Sequence, residues 1–162
     1  INLKKYSDSV YKLAKELKCK IIFEPGRSII GDTGILLSKI QYIKKGAKKD
    51  FIIIDAGMND FMRPALYDAV HKIIPIRKSK SKLKGTIEFV GPICESTCKF
   101  GSYKNYQKMS ENDFVAITNV GAYGSSLSSN YNSRPLIAEL LVNKNKIKYI
   151  RKKQDLLKLI NS

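Results

Sequence analysis

The amino-acid sequence predicts a mainly β protein, an all-β barrel or sandwich domain preceded by the last helix-strand unit of an (α/β) barrel. Three observations favour this fold class. Residues 1–20 have the periodicity of an amphipathic helix, and a short apolar strand, Ile21–Phe23, follows directly. From residue 51 onward, strand candidates follow one another with little helix between them. One of these, Leu83–Val90, alternates apolar and other side chains with a period of two.

The first part of the chain has the pattern of an α/β unit. The helix at residues 1–20 has its apolar positions on one face and most of its lysines on the other. A helix followed by an entirely apolar strand is typical of a parallel sheet, so we expect Ile21–Phe23 to be buried. The segment Ile29–Ile43 predicts a helix that continues into a strand.

The remaining chain predicts an antiparallel barrel or sandwich. Asn143–Lys146 has the composition of a hairpin turn, and Asp155 can cap a closing helix that ends at Ile160. We therefore assign residues 1–38 to the carboxyl-terminal remnant of an (α/β) barrel and residues 39–162 to a β-barrel domain. The predicted strands are Phe51–Asp55, His71–Ile76, Leu83–Val90, Phe114–Val120, Ile137–Val142 and Ile147–Ile150.

The chain is strongly basic, with 30 Lys and Arg against 14 Asp and Glu and a formal charge of +16. Such a field attracts nucleic acid or an acidic membrane surface. Nucleic-acid surfaces usually rely on Arg and on interleaved aromatic side chains, but 25 of the 30 cations are lysines spread along the chain. We therefore predict no nucleic-acid partner and no membrane partner. Charge alone leaves a basic β-barrel that binds nucleic acid as an alternative.

The cysteine content indicates a reducing, cytoplasmic compartment, because three cysteines without repeating spacing do not suggest a disulfide framework. Cys94 and Cys98, with only His71 nearby in sequence, do not make a zinc site, so we predict no metal. We expect the chain to be a fragment of a longer protein.

Two stretches offer charged groups in turns that follow strands. Gly91–Ser96 places the Cys94 thiol beside the Glu95 carboxylate. Taken alone, this pair is more typical of an inert cysteine next to a surface glutamate. The second stretch, Glu24–Arg27, offers an acid, a cation and a glycine whose backbone a phosphate can approach closely.

Two further stretches offer groups that can contact a ligand. Arg63 and Tyr67 are four residues apart, so one helical turn after Pro64 would place both side chains on one face. In Gly121–Gly124, the flanking glycines would leave Tyr123 exposed to a ligand.

Five motifs together resemble a known family. They are EPGR at 24–27, DAGMNDFMRPALYDAVH at 55–71, GPICES at 91–96, GAYG at 121–124 and SSNYNSRP at 128–135. In this order and spacing they resemble the carboxyl-terminal part of the diaminopimelate decarboxylases, fold-type III enzymes that use pyridoxal 5'-phosphate to make lysine. The resemblance implies a full-length protein with an α/β barrel and a β-domain.

The resemblance implies a role for each matching position. Cys94 would be the catalytic proton donor after carbon dioxide departs, and Glu95 would bind the amino group at the non-reacting end of the substrate. Glu24 would pair with the pyridine nitrogen of the cofactor. The implied cofactor-binding residues are Glu24, Gly26, Arg27 and Tyr123. The implied substrate-binding residues are Arg27, Arg63, Tyr67, Glu95 and Tyr123.

The implied reaction converts meso-2,6-diaminopimelate to L-lysine and carbon dioxide. The implied assembly is a homodimer in which the Cys94–Glu95 turn reaches into the partner's site. Relatives that act on ornithine or arginine carry Asp after the Cys, so Glu95 favours diaminopimelate. A decarboxylase for ornithine or arginine is the alternative within this fold, and a non-catalytic dimerisation module is a third interpretation.

The sequence departs from the family pattern in two ways. The family usually has Asp at the position of Cys98, which could instead act as a small buried hydrophobic residue. The lysine that forms the cofactor Schiff base lies near the start of the family's barrel, and none of the 25 lysines matches it. We therefore predict that this chain alone is inactive.

Overall fold

A computed structural model describes residues 2–161 of the 162-residue chain and shows the predicted mainly β fold. The helices are α1 (Leu3–Leu17), α2 (Arg27–Ile30), α3 (Arg63–Tyr67) and α4 (Leu156–Ile160). The strands are β1 (Ile35–Lys44), β2 (Asp50–Ile54), β3 (Ile73–Pro75), β4 (Thr86–Val90), β5 (Lys99–Lys104), β6 (Phe114–Thr118), β7 (Glu139–Asn143) and β8 (Lys146–Arg151). Within residues 2–161, no helix has both the length and the apolar character needed to cross a membrane.

Helix α1 confirms the predicted amphipathic helix. It begins at Leu3 because the Asn2 side chain accepts the backbone N–H of Lys5 at 3.0 Å, which satisfies one of the free donors of the first turn. It ends where Lys18 adopts a left-handed conformation, with φ of 48°. None of the helix residues is buried, so its apolar face is open to solvent.

The prediction of a buried strand at Ile21–Phe23 is wrong. These residues form no strand, and the side chains of Ile22 and Phe23 are 75% and 51% exposed. A strand needs a neighbour to pair its backbone N–H and C=O groups, and no described strand pairs with this segment. The apolar composition of the segment was therefore not sufficient to make it a strand.

The predicted transition from helix to strand between Ile29 and Ile43 is confirmed, although the helix is short. A single turn, α2, leads into a turn of 3₁₀ helix at Gly31–Thr33, and β1 then begins at Ile35. Position 38, where the sequence predicts the boundary between barrel remnant and β-domain, lies inside β1. The division into residues 1–38 and 39–162 stays a prediction.

Strands β1 to β6 form one sheet in the order β3-β6-β1-β2-β4-β5. The neighbours pair antiparallel as predicted, except that β2 and β4 run parallel. The expectation of a purely antiparallel domain is therefore wrong at this pair. A parallel pair needs a long crossover, which the chain between β2 and β4 supplies through α3 and β3.

Strand β5 is the one sheet strand that the sequence analysis did not predict. Lys99–Lys104 contains Gly101 and Ser102 and only two aromatic side chains, so its composition does not favour a strand. Tertiary pairing with β4 overrides that composition. Gly101 is at the point where the register shifts, and its φ of 151° suits a residue without a side chain.

The sheet curls so strongly that its two edge strands approach each other. In a flat sheet the first and sixth strands would be about 24 Å apart, because neighbouring strands are about 4.8 Å apart. Instead, the Tyr103 hydroxyl accepts the backbone N–H of Ile73 at 2.9 Å, and the Tyr106 hydroxyl donates to the carbonyl of the same residue at 2.8 Å. Aromatic side chains from the β5 end of the sheet therefore close it against β3.

The hydrophobic core lies inside this curl. The alternation predicted for Leu83–Val90 is confirmed over β4, since Ile87 and Phe89 are fully buried whereas Thr86, Glu88 and Val90 are half-buried. The prediction is wrong for Gly85, which is exposed and precedes the strand. Each fully buried side chain of this size contributes about 1.5–3 kcal/mol of transfer free energy. The fully buried hydrophobic side chains of the core are Ile40, Ile52, Ile54, Phe61, Ile73, Ile87, Phe89, Val115 and Ile117.

Strands β7 and β8 form a separate two-stranded sheet, which confirms the predicted hairpin. Its two-residue turn is Lys144–Asn145, and Lys144 has a φ of 52°, in the left-handed region that tight hairpin turns use. The closing helix α4 is also confirmed, because the Asp155 carboxylate accepts the backbone N–H of Leu157 at 2.9 Å.

Candidate active site

The segment that follows β2, Asp55–Arg63, is the scaffold of the site. The Asp55 carboxylate accepts the hydroxyl of Ser38 at 2.6 Å and the backbone N–H of Lys39 at 2.9 Å, which fixes the start of the segment to β1. Asp60 is buried and accepts the backbone N–H of Gly57 at 2.8 Å. Burial raises the pKa of Asp60 above its usual value, against the opposing effect of that hydrogen bond.

Arg134 fastens the 128–135 loop to this scaffold. Its Nη2 donates to the carbonyl of Asp55 at 2.7 Å, and its Nε donates to Oδ1 of Asn59 at 3.1 Å. The backbone N–H of Ser129 also donates to the carbonyl of Asn59 at 2.9 Å. Two distant parts of the chain, matching two of the quoted motifs, are therefore held together by direct contacts.

Arg63, Tyr67 and Tyr123 form the first group of predicted site residues that the structure brings together. The guanidinium carbon of Arg63 is 5.9 Å from the ring centre of Tyr67 and 5.6 Å from that of Tyr123, within the range of cation–π contact. The predicted placement of Arg63 and Tyr67 on one face of a helical turn is confirmed. Gly26 adjoins this group, since a Cβ on Gly26 would lie 3.9 Å from the Tyr123 hydroxyl.

Tyr123 itself has a backbone conformation that is rare for its residue type. Its φ is 58°, in the left-handed region, and its side chain is 49% exposed. A bulky residue adopts this region at a cost of about 1–3 kcal/mol, and such residues concentrate at functional sites. The turn therefore holds a half-exposed phenol beside Arg63 at the expense of stability.

Arg63 is buried, whereas the other four arginines are half-buried or exposed. Within residues 2–161 no carboxylate lies within ion-pair distance of it. The hydrogen bonds of the described residues include one from its Nε, and none from Nη1 or Nη2. Every buried side-chain N and O atom in this part of the chain has a partner, so these two nitrogens reach the surface. A guanidinium without a carboxylate partner, whose Nη atoms reach the surface, can bind an anionic ligand.

Close backbone contact brings the α2 segment to the Tyr123 turn. Gly121 donates its N–H to the carbonyl of Gly31 at 3.0 Å, and Val120 donates to the carbonyl of Gly34 at 3.1 Å. A Cβ on Gly121 would lie only 2.0 Å from the carbonyl oxygen of Ile30. Glycine at position 121 is therefore what allows the α2 segment to approach the Tyr123 turn so closely.

The Cys94–Glu95 turn forms a second group. Cys94 and Glu95 are both exposed, in the turn that was predicted after β4. The turn is fixed by Cys98, which is buried and whose carbonyl accepts the N–H of Gly91 at 2.8 Å. The Cys98 sulfur lies 3.4 Å from the backbone nitrogen of Met58 and accepts its hydrogen. The interpretation of Cys98 as a small buried residue agrees with this position.

Glu95 has a partner that the sequence analysis did not identify. The Tyr131 hydroxyl donates to Oε1 of Glu95 at 2.5 Å. That hydrogen bond to the carboxylate raises the pKa of Tyr131 above its usual value. The next two residues, Asn132 and Ser133, both have left-handed backbones, with φ of 58° and 55°. Tyr131 lies in the SSNYNSRP motif quoted above, and this motif is the sequence feature that could have identified it as a site residue.

The predicted site residues thus fall into two groups that do not touch within the described part of the chain. Gly26, Arg63, Tyr67 and Tyr123 adjoin one another, and Cys94 and Glu95 lie on a separate turn. The remaining two are Glu24, which is exposed and has no described partner, and Arg27, which is exposed at the start of α2. Among residues 2–161, no group of three or more His, Cys, Asp or Glu side chains is arranged to hold a metal ion.

Comparison with known proteins places these features in one family. A family model described as the C-terminal sheet domain of pyridoxal-dependent decarboxylases matches residues 9–121. Diaminopimelate decarboxylase of Aquifex aeolicus is 42% identical over 92% of the chain, and that of Helicobacter pylori is 44% identical over 96%. The crystal structure of the Helicobacter pylori diaminopimelate decarboxylase complexed with L-lysine superposes with a TM-score of 0.83, at 42% identity over 99% of this chain and 39% of that one.

The chain spans 35% and 38% of the lengths of these two curated relatives. The family model covers more than half of the chain, and the sheet that it describes is the sheet seen here. The chain therefore belongs to the family of pyridoxal-dependent decarboxylases and contains their C-terminal sheet domain.

Proposed function

We propose that the full-length protein containing this chain converts meso-2,6-diaminopimelate to L-lysine and carbon dioxide. The observation that carries the proposal is Arg63, a buried guanidinium that has no carboxylate partner among residues 2–161 and whose Nη atoms reach the surface. Planar guanidinium groups bind carboxylates through two parallel hydrogen bonds. Relatives that are 42–44% identical bear the name diaminopimelate decarboxylase, and Glu95 provides an acid for a distal amino group.

The residues around Gly26 fit a bound pyridoxal 5'-phosphate. A side chain at position 26 would extend toward the Tyr123 hydroxyl, so glycine keeps open the space between the two. Tyr123 supplies a half-exposed phenol there, and Arg27 supplies a cation next to Gly26. We infer that Glu24, Gly26, Arg27 and Tyr123 hold the cofactor, Glu24 at its pyridine nitrogen. When bound, the cofactor supplies an electron sink for the bond that breaks.

The chain's own residues then bind the substrate and supply the proton. Arg63 binds a substrate carboxylate, and its cation–π contacts with the Tyr67 and Tyr123 rings restrict the orientation of the guanidinium. Arg27 adds positive charge for the same substrate. The Cys94 Sγ donates a proton to the carbon from which carbon dioxide has left, because a thiol is a competent general acid. Glu95 binds the distal ammonium group.

We further propose that the protein acts as a homodimer, in which the Cys94–Glu95 turn of one protomer completes the partner's site. The separation of this turn from the Arg63 group within one chain supports that arrangement. The lysine that anchors the cofactor would then lie in the rest of the full-length protein, and the chain described here would be inactive alone. The described cysteines are all free, which supports a reducing compartment such as the cytoplasm.

The substrate assignment is tested by assaying the full-length protein with meso-diaminopimelate, ornithine and arginine under identical conditions. We expect release of carbon dioxide and L-lysine from diaminopimelate, with a kcat/KM at least about 10²-fold above that for the other two, because only diaminopimelate has a carboxylate at both ends. Activity confined to ornithine or arginine would overturn the assignment. The Arg63→Ala variant serves as the control that links turnover to this site.

Removing the Tyr131 hydroxyl is expected to weaken substrate binding without impairing chemistry. In Tyr131→Phe, the KM for diaminopimelate should rise about 3–10-fold, because one charge-assisted hydrogen bond that orients Glu95 is lost. Steady-state kinetics of the full-length protein measures the change. Tyr42→Phe, which alters an exposed tyrosine on β1, is the matched control and should leave KM unaltered. An unchanged KM in Tyr131→Phe would show that Glu95 needs no such support.

A further inference from the structure

His71 lies directly behind Arg63 and has a defined protonation state. The residue is 7% exposed, and its ring packs edge-on against Phe61, with ring centres 4.7 Å apart. Its Nδ1 lies 2.9 Å from the carbonyl oxygen of Thr118. A carbonyl oxygen can only accept, so Nδ1 must carry a hydrogen. Burial lowers the pKa of His71 below its usual value, and the charges of Arg63 and Arg27 act in the same direction, against the opposing effect of the hydrogen bond to Thr118. The ring is therefore neutral near pH 7.

The tautomer determines what His71 can do for Arg63. A neutral imidazole with hydrogen on Nδ1 has a lone pair on Nε2. The Nε of Arg63 donates to this Nε2 at 3.4 Å. The backbone carbonyl of Thr118 thus selects the tautomer, and the tautomer in turn provides Arg63 with an acceptor. The backbone that carries the ring is also fixed, because the Tyr103 hydroxyl donates to the carbonyl of His71 at 3.1 Å.

The hydrogen bond to His71 involves Nε of Arg63. A ligand bound through both Nη atoms would not contact this nitrogen. His71 occupies Nε, while the rings of Tyr67 and Tyr123 cover the guanidinium. The two Nη atoms have no described partner. A carboxylate at position 71 would fix Arg63 equally well, but it would neutralise the charge and compete with an anionic ligand. A neutral acceptor orients the cation and leaves its charge available.

We propose that His71 is a positioning residue, which holds the Arg63 guanidinium so that its Nη edge faces the substrate carboxylate. The proposal rests on the proposed function for the identity of the ligand. It assigns His71 no contact with substrate or cofactor. It predicts that loss of the imidazole acceptor weakens recognition of the carboxylate and of no other part of the ligand.

The test uses two variants of the full-length holoenzyme and two ligands that differ by one carboxylate. His71→Leu removes the acceptor at similar volume, and His71→Gln offers a side-chain oxygen in its place. L-lysine carries the α-carboxylate, and cadaverine is the same diamine without it. Dissociation constants are measured for both ligands, together with kcat and KM for diaminopimelate and the absorbance of bound cofactor.

We expect His71→Leu to weaken L-lysine binding about tenfold and cadaverine binding less than twofold. KM should rise about tenfold with kcat within about threefold of wild type, and His71→Gln should recover most of the loss. Equal weakening of both ligands would identify a merely structural role and overturn the proposal. Unchanged affinity for L-lysine would overturn it as well.

A measurement without ligand separates this inference from the proposed function. In full-length protein labelled with ¹⁵N-histidine, the resonances missing from His71→Gln identify His71. Shifts of a neutral ring with hydrogen on Nδ1 are expected, and a charged ring or hydrogen on Nε2 would overturn the inference. If the wild type binds neither L-lysine nor diaminopimelate, the proposed function fails, and the ¹⁵N shifts still decide whether His71 can accept from Arg63.

Discussion

Replacing Cys94 by alanine in the full-length protein is expected to lower kcat by about 10²–10⁴-fold, the usual contribution of a positioned general acid. The side chain is exposed on its turn and has no hydrogen-bond partner among the described residues, so alanine removes no contact that stabilises the fold. The cofactor should remain bound, because none of its proposed ligands lies on that turn. Turnover and cofactor absorbance, measured on the same sample, separate the two effects.

The chain offers matched controls for this experiment. Cys19 is also exposed but lies just after α1, so Cys19→Ala should leave kcat unchanged. Cys98→Ala deletes a buried sulfur that accepts the Met58 N–H, and it should lower stability more than kcat. If Cys94→Ala retains a kcat within about threefold of wild type, another group donates the proton and the proposed role is wrong.

Gly121→Ala is expected to give the largest loss of stability, about 3 kcal/mol of unfolding free energy, as overpacking a closely packed site does. The added Cβ would lie 2.0 Å from the carbonyl oxygen of Ile30 and 2.9 Å from the hydroxyl of Thr33. A backbone carbonyl cannot rotate away as a flexible side chain can. The α2 segment must therefore shift away from the Tyr123 turn, and cofactor affinity should fall together with the apparent Tm.

Gly85→Ala distinguishes steric overlap from backbone strain. Gly85 has a φ of 83°, but a Cβ there would meet no atom within 4 Å. The substitution should cost about 1–2 kcal/mol from the left-handed conformation alone and should not alter cofactor affinity. Thermal unfolding and cofactor titration of both variants provide the comparison. Equal effects of Gly121→Ala and Gly85→Ala would contradict the role assigned to the contact with Ile30.

The predicted fold agrees with the structure where local patterns determine an element. Ile87 and Phe89 alternate with half-buried neighbours and lie in the core, and Asp155 caps α4. The errors arise where neighbours decide the outcome. Ile21–Phe23 lacks a partner strand, whereas Lys99–Lys104 becomes a strand because β4 pairs with it. Neither outcome can be predicted from the residues of the segment concerned.

The candidate site also combines features that local sequence patterns predict with contacts that only the tertiary fold creates. The spacing of Arg63 and Tyr67 predicts their common face, because both lie on one helical turn. The contact of Arg63 with Tyr123 and the hydrogen bond from Tyr131 to Glu95 join residues far apart in sequence. The motifs predicted a set of site residues, but periodicity could not show that His71 is within hydrogen-bond distance of Arg63. The roles of the individual site residues stay proposals until the variants are measured.

The closure of the sheet by Tyr103 and Tyr106 also protects the protein against edge-to-edge aggregation. An open sheet edge presents free N–H and C=O groups that can pair with a strand of another molecule. On β3 the N–H and the carbonyl of Ile73 are both occupied by tyrosine hydroxyls, and Pro75 has no N–H to offer. A second molecule therefore finds no free N–H or C=O group on Ile73 with which to extend the sheet along this short strand.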